Sequence, residues 1–189
     1  MKKKIGWVVA AILCIAAICG VFYYTTQNSK KSVEDPKKLT KIEETLNKDL
    51  NKTYPKTPRE VVKYYNKILE CYYNEKPTKG QVKKLCKKSL QIFDDDLAKE
   101  NPIDSYVASV QKDIDLYNES SKRITQSSVC SSNDVLYKKD KGDEIAYVEA
   151  SYFMKESKKF TKSYQTYVLR KDEKGNWKIL VWYKTEKTS

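Results

Sequence analysis

The chain contains no histidine, which removes the commonest general base, the Ser-His-Asp and Cys-His arrangements and histidine-ligated zinc. Any catalysis would have to use carboxylates, tyrosines or lysines. Tyrosine is abundant, at 15 residues, and Tyr152, Tyr164, Tyr167 and Tyr183 fall with Trp177 in one C-terminal stretch where they could line or rim a pocket. Phenol chemistry there would need a buried acid alongside, because a pKa matched to proton transfer requires burial or a charged partner. No acid in the sequence is marked for that role. Closure of a core by the same rings is the competing use, and stacking on sugars is a third.

Metal and thiol chemistry are no better served. Asp94-Asp95-Asp96 lacks the alternating ligands, glycine turn and later bidentate glutamate of a calcium loop, so these acids are expected at a helix N-terminus or an exposed bend. Cys71, Cys86 and Cys130 lie beyond the apolar N-terminal stretch, odd in number and without CxxC spacing, and signal neither a zinc cluster nor a redox pair. Cys71 and Cys86 sit at similar distances on either side of a turn, on faces that both point inward. A disulfide and two buried free thiols are both open, since spacing does not set the Cβ geometry that a bridge requires. Lys83, Lys84, Lys87 and Lys88 spread over one side of a helix, as a solvated face or an anion-binding patch. No cofactor or metal is expected.

Three helices and a sheet must position these residues. Thr57-Pro58-Arg59-Glu60 combines a cap, a proline at the first helical position and a returning glutamate, and starts a helix to about Asn74. Val61, Val62, Tyr65, Ile68, Leu69 and Tyr72 are its apolar residues, widened by Tyr64, Cys71 and Tyr73. Pro77 and Gly80 mark a turn, and Thr78 with Gln81 opens a second helix to about Phe93, with Val82, Leu85, Cys86, Ser89 and Phe93 on one face. Asn101-Pro102 starts a third, to about Glu119, burying Ile103, Tyr106, Val107, Val110, Ile114 and Tyr117. Beyond Ser121 the apolar period changes from helical to two. Ile124 to Lys138 reads as one strand with a break or bulge around Ser131 to Asp134. Glu144 to Glu156, Phe160 to Arg170 and Trp177 to Lys184 complete four strands, joined by short links as an antiparallel meander. The fold class is α+β, about three helices packed on a curved four-stranded antiparallel sheet.

Upstream, Lys2, Lys3 and Lys4 precede an uncharged run from Ile5 to Tyr24. Such a run covers roughly 30 Å at helical rise, the thickness of a bilayer's hydrocarbon core. The lysines place the N-terminus in the cytoplasm and the rest of the chain outside. A secretory signal has a shorter apolar core, whereas this one continues through Val21, Phe22, Tyr23 and Tyr24, which suit an interfacial belt. The expectation is an uncleaved single-pass anchor in the cell membrane. A cleaved signal and lipid attachment at Cys14 or Cys19 are the alternatives, and all three deliver the same domain to the same side. The organisation is then 1–24 for cytoplasmic lysines and transmembrane anchor, 25–56 for a stalk with a short amphipathic helix, and 57–189 for the extracytoplasmic domain. Leu39, Ile42, Leu46 and Leu50 form the stripe of that stalk helix, which either docks onto the domain or self-associates. The chain carries 37 Lys and Arg against 25 Asp and Glu, a formal net charge of +12. Outside a membrane, nucleic acid is not the expected partner. Another envelope protein, an anionic envelope polymer or lipid headgroups are.

Three helices feeding a curved antiparallel sheet, whose last strand opens with Gly175-Asn176-Trp177-Lys178-Ile179, resemble the nuclear-transport-factor-2-like superfamily, the α+β cone also used by ketosteroid isomerase. The resemblance spans roughly Thr57 to Lys184. With the anchor added, the chain resembles small single-pass envelope proteins of Gram-positive bacteria. The superfamily holds isomerases, dehydratases, cyclases and many non-enzymatic binding or assembly modules, so the fold implied does not choose among them. No catalytic residue is carried over. Two readings follow. The first is an extracytoplasmic binding or assembly module without catalysis, one version of which resembles the VirB8-like subunits of conjugation and secretion machines. The second is a small-molecule binder or isomerase-like or dehydratase-like enzyme using the open end of the cone.

Overall fold

In the computed structural model residues 39–186 are described, so the expected membrane segment 5–24 lies outside the described residues. Among those described, no helix is long and apolar enough to cross a membrane. The compact unit opens at Leu39. Its helices are α1 (Lys41–Asn47), α2 (Pro58–Asn74), α3 (Lys79–Ile92), α4 (Asp95–Glu100) and α5 (Ile103–Glu119). The strands β1 (Lys122–Val129), β2 (Leu136–Asp140), β3 (Asp143–Glu156), β4 (Lys159–Lys171) and β5 (Trp177–Thr185) follow. Five helices and five strands among the described residues make an α+β fold with an antiparallel sheet.

Local chemistry explains where the helices start. Thr40 with Glu43, Thr57 with Glu60, and Thr78 with Gln81 each form a complete capping box, in which two backbone N–H groups find side-chain acceptors. Asp94 caps α4 by accepting from the Asp96 amide. The expected start of α5 is one residue off, because Pro102 rather than Asn101 occupies the cap and makes no side-chain bond there. Asn101 instead donates to the Leu97 carbonyl and closes α4.

The amphipathic stripe before α2 proves to be part of the same core. Ile42 and Leu50 are buried, Leu46 packs against the core, and Leu39 stays exposed. α1 is shorter than the stripe implies. Lys48 turns extended, and Asp49 then accepts from the Asn51 amide in a tight turn that brings Leu50 inward. Tyr64 on α2 donates to the Thr45 carbonyl at 3.0 Å and fastens α1 in place.

The sheet corrects the expectation of four strands. The stretch expected as one interrupted strand is two, separated by a 3-10 turn at Ser132–Asp134 and closed by reciprocal bonds between Ser131 and Asp134. Both pair with the same edge of β3, β1 along Ala150 to Glu156 and β2 along Asp143 to Tyr147. β4 runs along the other edge and β5 flanks β4. Gly142 (φ 98°) with Lys141 (φ 48°) closes the β2–β3 hairpin, and Gly175 (φ 79°) the β4–β5 hairpin, left-handed conformations that suit glycine. One sheet face carries Ala146, Val148, Ala150, Tyr152 and Met154 from β3 and meets the helices in the core. Asn74 at the end of α2 both donates to and accepts from the Ile124 backbone, fastening the helix to β1.

Candidate functional site

The five aromatic residues singled out from the sequence do not converge. Tyr152 and Tyr167 lie on the inner face of the sheet and are buried, Trp177 is buried at the β4–β5 hairpin, Tyr164 is half-buried and Tyr183 is exposed. Tyr164 and Tyr183 share the opposite face, since Thr166, which alternates with the inward Tyr167, lies two residues from Tyr164 along β4 and pairs with Tyr183.

Inside, the rings fill the space between sheet and helices. Tyr65 of α2 packs edge-on against Phe93 at 5.6 Å and Tyr167 at 5.9 Å, and lies 5.5 Å from Trp182. The Tyr152 hydroxyl is 2.6 Å from Asn66 Oδ1 and 2.6 Å from the Tyr167 hydroxyl, which in turn is 3.0 Å from Gln165 Oε1. Two hydroxyl protons cannot fill three contacts, so one flanking amide must present its NH2 to the chain. Burial pushes the Tyr65, Tyr72, Tyr152 and Tyr167 hydroxyls well above the usual phenol range. The network is a neutral structural chain, with Asn66 where proton transfer would need an acid. Every buried side-chain polar atom among the described residues has a partner. None is left aimed at a ligand. Sequence reasoning missed Asn66, a single polar residue inside an apolar helical face.

Cys71 and Cys86 are both free and buried. Cys71 Sγ lies 3.5 Å from Thr45 Oγ1, and Cys86 Sγ accepts from the Tyr72 hydroxyl at 3.4 Å. Burial raises the pKa of each. On α3, Lys83 pairs with Asp104 at 3.2 Å and Lys88 donates to the Lys48 carbonyl, while Lys84 and Lys87 are exposed. The three aspartates, read as a helix start or bend, contain a buried member. Asp94 is held by Arg170 through both carboxylate oxygens, and Arg170 also reaches Asp96 at 2.6 Å. No cluster of potential metal ligands occurs among the described residues.

An open groove lies where sequence did not place one. A groove of about 740 Å³ runs between α1, the segment after it and α2. Six lysines line it, Lys41, Lys48, Lys52, Lys56, Lys63 and Lys67, against Glu44, Glu60 and Glu70. Tyr54, Pro55 and Tyr64 contribute apolar surface. Two of the carboxylates are already engaged. Glu70 takes Lys41 at 3.1 Å and the Ser127 hydroxyl at 2.7 Å, and Glu60 accepts from the Lys56 and Thr57 amides. Lys52 sits 3.9 Å from Asp49. Lys48 lies over the Tyr64 ring, 4.8 Å from its centroid. Burial, then the neighbouring Lys67 ammonium, lowers the Lys48 pKa, and burial pushes Tyr64 up to about 12. Lys48, Lys56, Lys63 and Lys67 have no carboxylate within ion-pair distance among the described residues. The groove is thus a concave surface with a net positive lining, six lysines against three glutamates. Its signal in the sequence was Lys63 and Lys67, one turn apart on α2 after Lys56 just before it, which is ordinary for a solvated face until α1 docks beside it.

Fold and groove together define an α+β protein with a filled interior and a basic recess on its helical side. Residues 1–182 match the model of the family described as domain of unknown function DUF6715, and the chain belongs to that family. No curated protein matches it.

Proposed function

We propose that this chain is a membrane-anchored extracytoplasmic binding or assembly module that works without catalysis. Residues 5–24 form its single membrane span, with the N-terminus in the cytoplasm and the α+β unit outside. Its partner is another envelope protein or an anionic envelope polymer. The observation that carries this reading is the contrast between the aromatic-filled inner face of the sheet and the open, lysine-lined groove between α1 and α2. Ligands are taken by concave sites with a few converging polar groups, and here those groups are ammonium ions. A nuclear-transport-factor-2-like cone is the finer fold assignment. It is supported by helices that precede the sheet and by Gly175-Asn176-Trp177-Lys178-Ile179 at the turn into β5. An isomerase-like use of the inner face would need an acid and a space beside Tyr152 and Tyr167, and the hydroxyls there already satisfy Asn66 and Gln165.

Fractionation and crosslinking of the full chain in intact cells test the proposal together. The full chain is expected to stay in the membrane fraction after an alkaline wash, and deletion of residues 5–24 to release it. Added protease should reach the α+β unit from outside, and crosslinkers placed at Lys56 or Lys63 should recover the same envelope component in repeated experiments. A full chain found in the soluble fraction, or crosslinks only to abundant bystanders, would overturn it.

A further inference from the structure

We infer that the groove between α1 and α2 is a binding site for a linear polyanion that carries phosphate groups. The inference rests on the reading of the chain as a binding module and names the ligand class for its groove. Three features of the lining select the chemistry. The first is unpaired positive charge: Lys48, Lys56, Lys63 and Lys67 face one recess without a carboxylate partner among the described residues, so an anion entering it displaces no existing ion pair. The second is the kind of cation. No arginine lines the groove. The planar guanidinium fork holds carboxylates and phosphates in one bidentate geometry, whereas an ammonium group is a compact point charge with three donors that binds phosphate oxygens from many directions, as a flexible polymer requires.

The third feature is how the charge is distributed. A site for one discrete phosphate gathers backbone N–H groups around it. Here the Lys56 and Thr57 amides at the start of α2 are consumed by Glu60. What remains is charge spread along a helix, with Lys63 and Lys67 one turn apart, about 6 Å along the axis. Spread charge fits a chain of phosphates better than a single one. Glu44 lies in the same lining on the α1 side, where it repels such a chain and sets its path along α2. Tyr54, Pro55 and Tyr64 give the linker atoms between phosphates apolar surface to rest on.

The test uses the full chain in micelles of an uncharged detergent, with short-chain inorganic polyphosphate as the probe. Lys63 and Lys67 are exposed and make no ion pair among the described residues, so Lys63→Gln with Lys67→Gln removes two charges without opening the core. Lys84→Gln with Lys87→Gln removes the same charge from α3 and is the control. The groove variant should lose about tenfold or more in polyphosphate affinity. The dependence of log affinity on log salt should flatten by about one and a half. The α3 control should stay within about twofold of the unchanged chain. Equal losses in the two variants would reduce the effect to general basicity and overturn the inference, and so would inorganic phosphate binding as tightly as polyphosphate. Phosphatidylglycerol doped into the micelles distinguishes the other source of phosphate. Competition at matched phosphate concentration would make the membrane surface the ligand and overturn the polymer. Failure to bind polyphosphate alongside reproducible crosslinks to an envelope protein would sink this inference and leave the binding module standing. Failure of both would sink the two together.

Discussion

Asp94 carries more of the structure than its place in a run of three acids suggests. Its carboxylate caps α4, its amide donates to the Ile179 carbonyl of β5 at 2.8 Å, and its oxygens hold Arg170 from β4. One residue thereby ties a helix start to two strands. Its side chain is nearly inaccessible while that of Arg170 keeps 27% of its surface, so removing the arginine leaves a buried charge without its main partner. The Arg170 pKa is raised by its hydrogen bonds to Asp94 and then Asp96. Arg170→Met should cost about 3 kcal/mol of stability, read as a lower urea midpoint. Lys171→Met, one residue on, loses an ion pair to the exposed Glu144 and a contact over the Trp177 ring at 5.4 Å, and should cost less, about 1 kcal/mol, with a smaller drop in the midpoint. Equal midpoints for the two variants would show that the Asp94 pair is a surface decoration. The acids were legible as a helix start because capping is local. Their arginine was not, since 74 residues separate Arg170 from Asp96 and no local pattern joins them.

At the scale of elements, α1 decides whether a groove exists. Its wall of Lys41, Glu44, Thr45 and Lys48 stands opposite α2 because Ile42 and Leu50 are buried in the shared core and Tyr64 bonds the Thr45 carbonyl. Ile42→Ala should destabilise the protein by about 2–4 kcal/mol through the cavity it leaves. Binding of polyphosphate should weaken as well, although no lysine is removed. Lost stability with unaltered binding would place the site on α2 alone. The apolar stripe was readable in the sequence, as were the capping boxes of α2 and α3. Where α1 stops was not, because Lys48 and Asp49 end it by turn chemistry. The split of one expected strand into β1 and β2 had the same kind of cause. A period of two is the same whether a segment continues or hands its partner on, and only the pairing of both pieces with β3 distinguishes them.

For the whole molecule, the aromatic residues are the common ground of every layer. Tyr65 and Tyr72 from α2, Phe93 after α3, Tyr106 from α5, Tyr152 from β3, Tyr167 from β4 and Trp182 from β5 meet in or against one core. This gives stability a particular pH dependence. Burial raises the folded-state pKa of Tyr65, Tyr72, Tyr152 and Tyr167 above the unfolded value near 10. A raised folded pKa means that stability is fully present below about pH 10 and is lost as pH climbs past it. Each tyrosine that ionises only on unfolding contributes a loss of about 1.4 kcal/mol per pH unit. Urea midpoints should therefore stay level up to about pH 8, decline gently as the unfolded Cys71 and Cys86 thiols ionise, and fall steeply above about pH 10, with tyrosinate absorbance appearing together with loss of secondary structure. Tyrosinate forming gradually while the fold persists would contradict it. The slope should be shallower in Tyr152→Phe, which keeps the ring and removes one titrating hydroxyl.

The sequence alone determined what is set within a few residues: the threonine-capped starts of α2 and α3, the glycine-bearing hairpin turns, and the change from a helical period to a period of two after Ser121. It also excluded histidine chemistry outright, because a missing residue type is missing in every fold. The tertiary structure decided what depends on distant segments meeting. Packing turned five aromatic candidates into two interior rings, two on the far face and one at a hairpin. Docking of α1 converted unremarkable lysines of α2 into one wall of a groove. Caps and turns are local balances of hydrogen bonding, so their residues announce them. A concave charged surface exists only when two elements face each other, and the residues on each carry no record of the other.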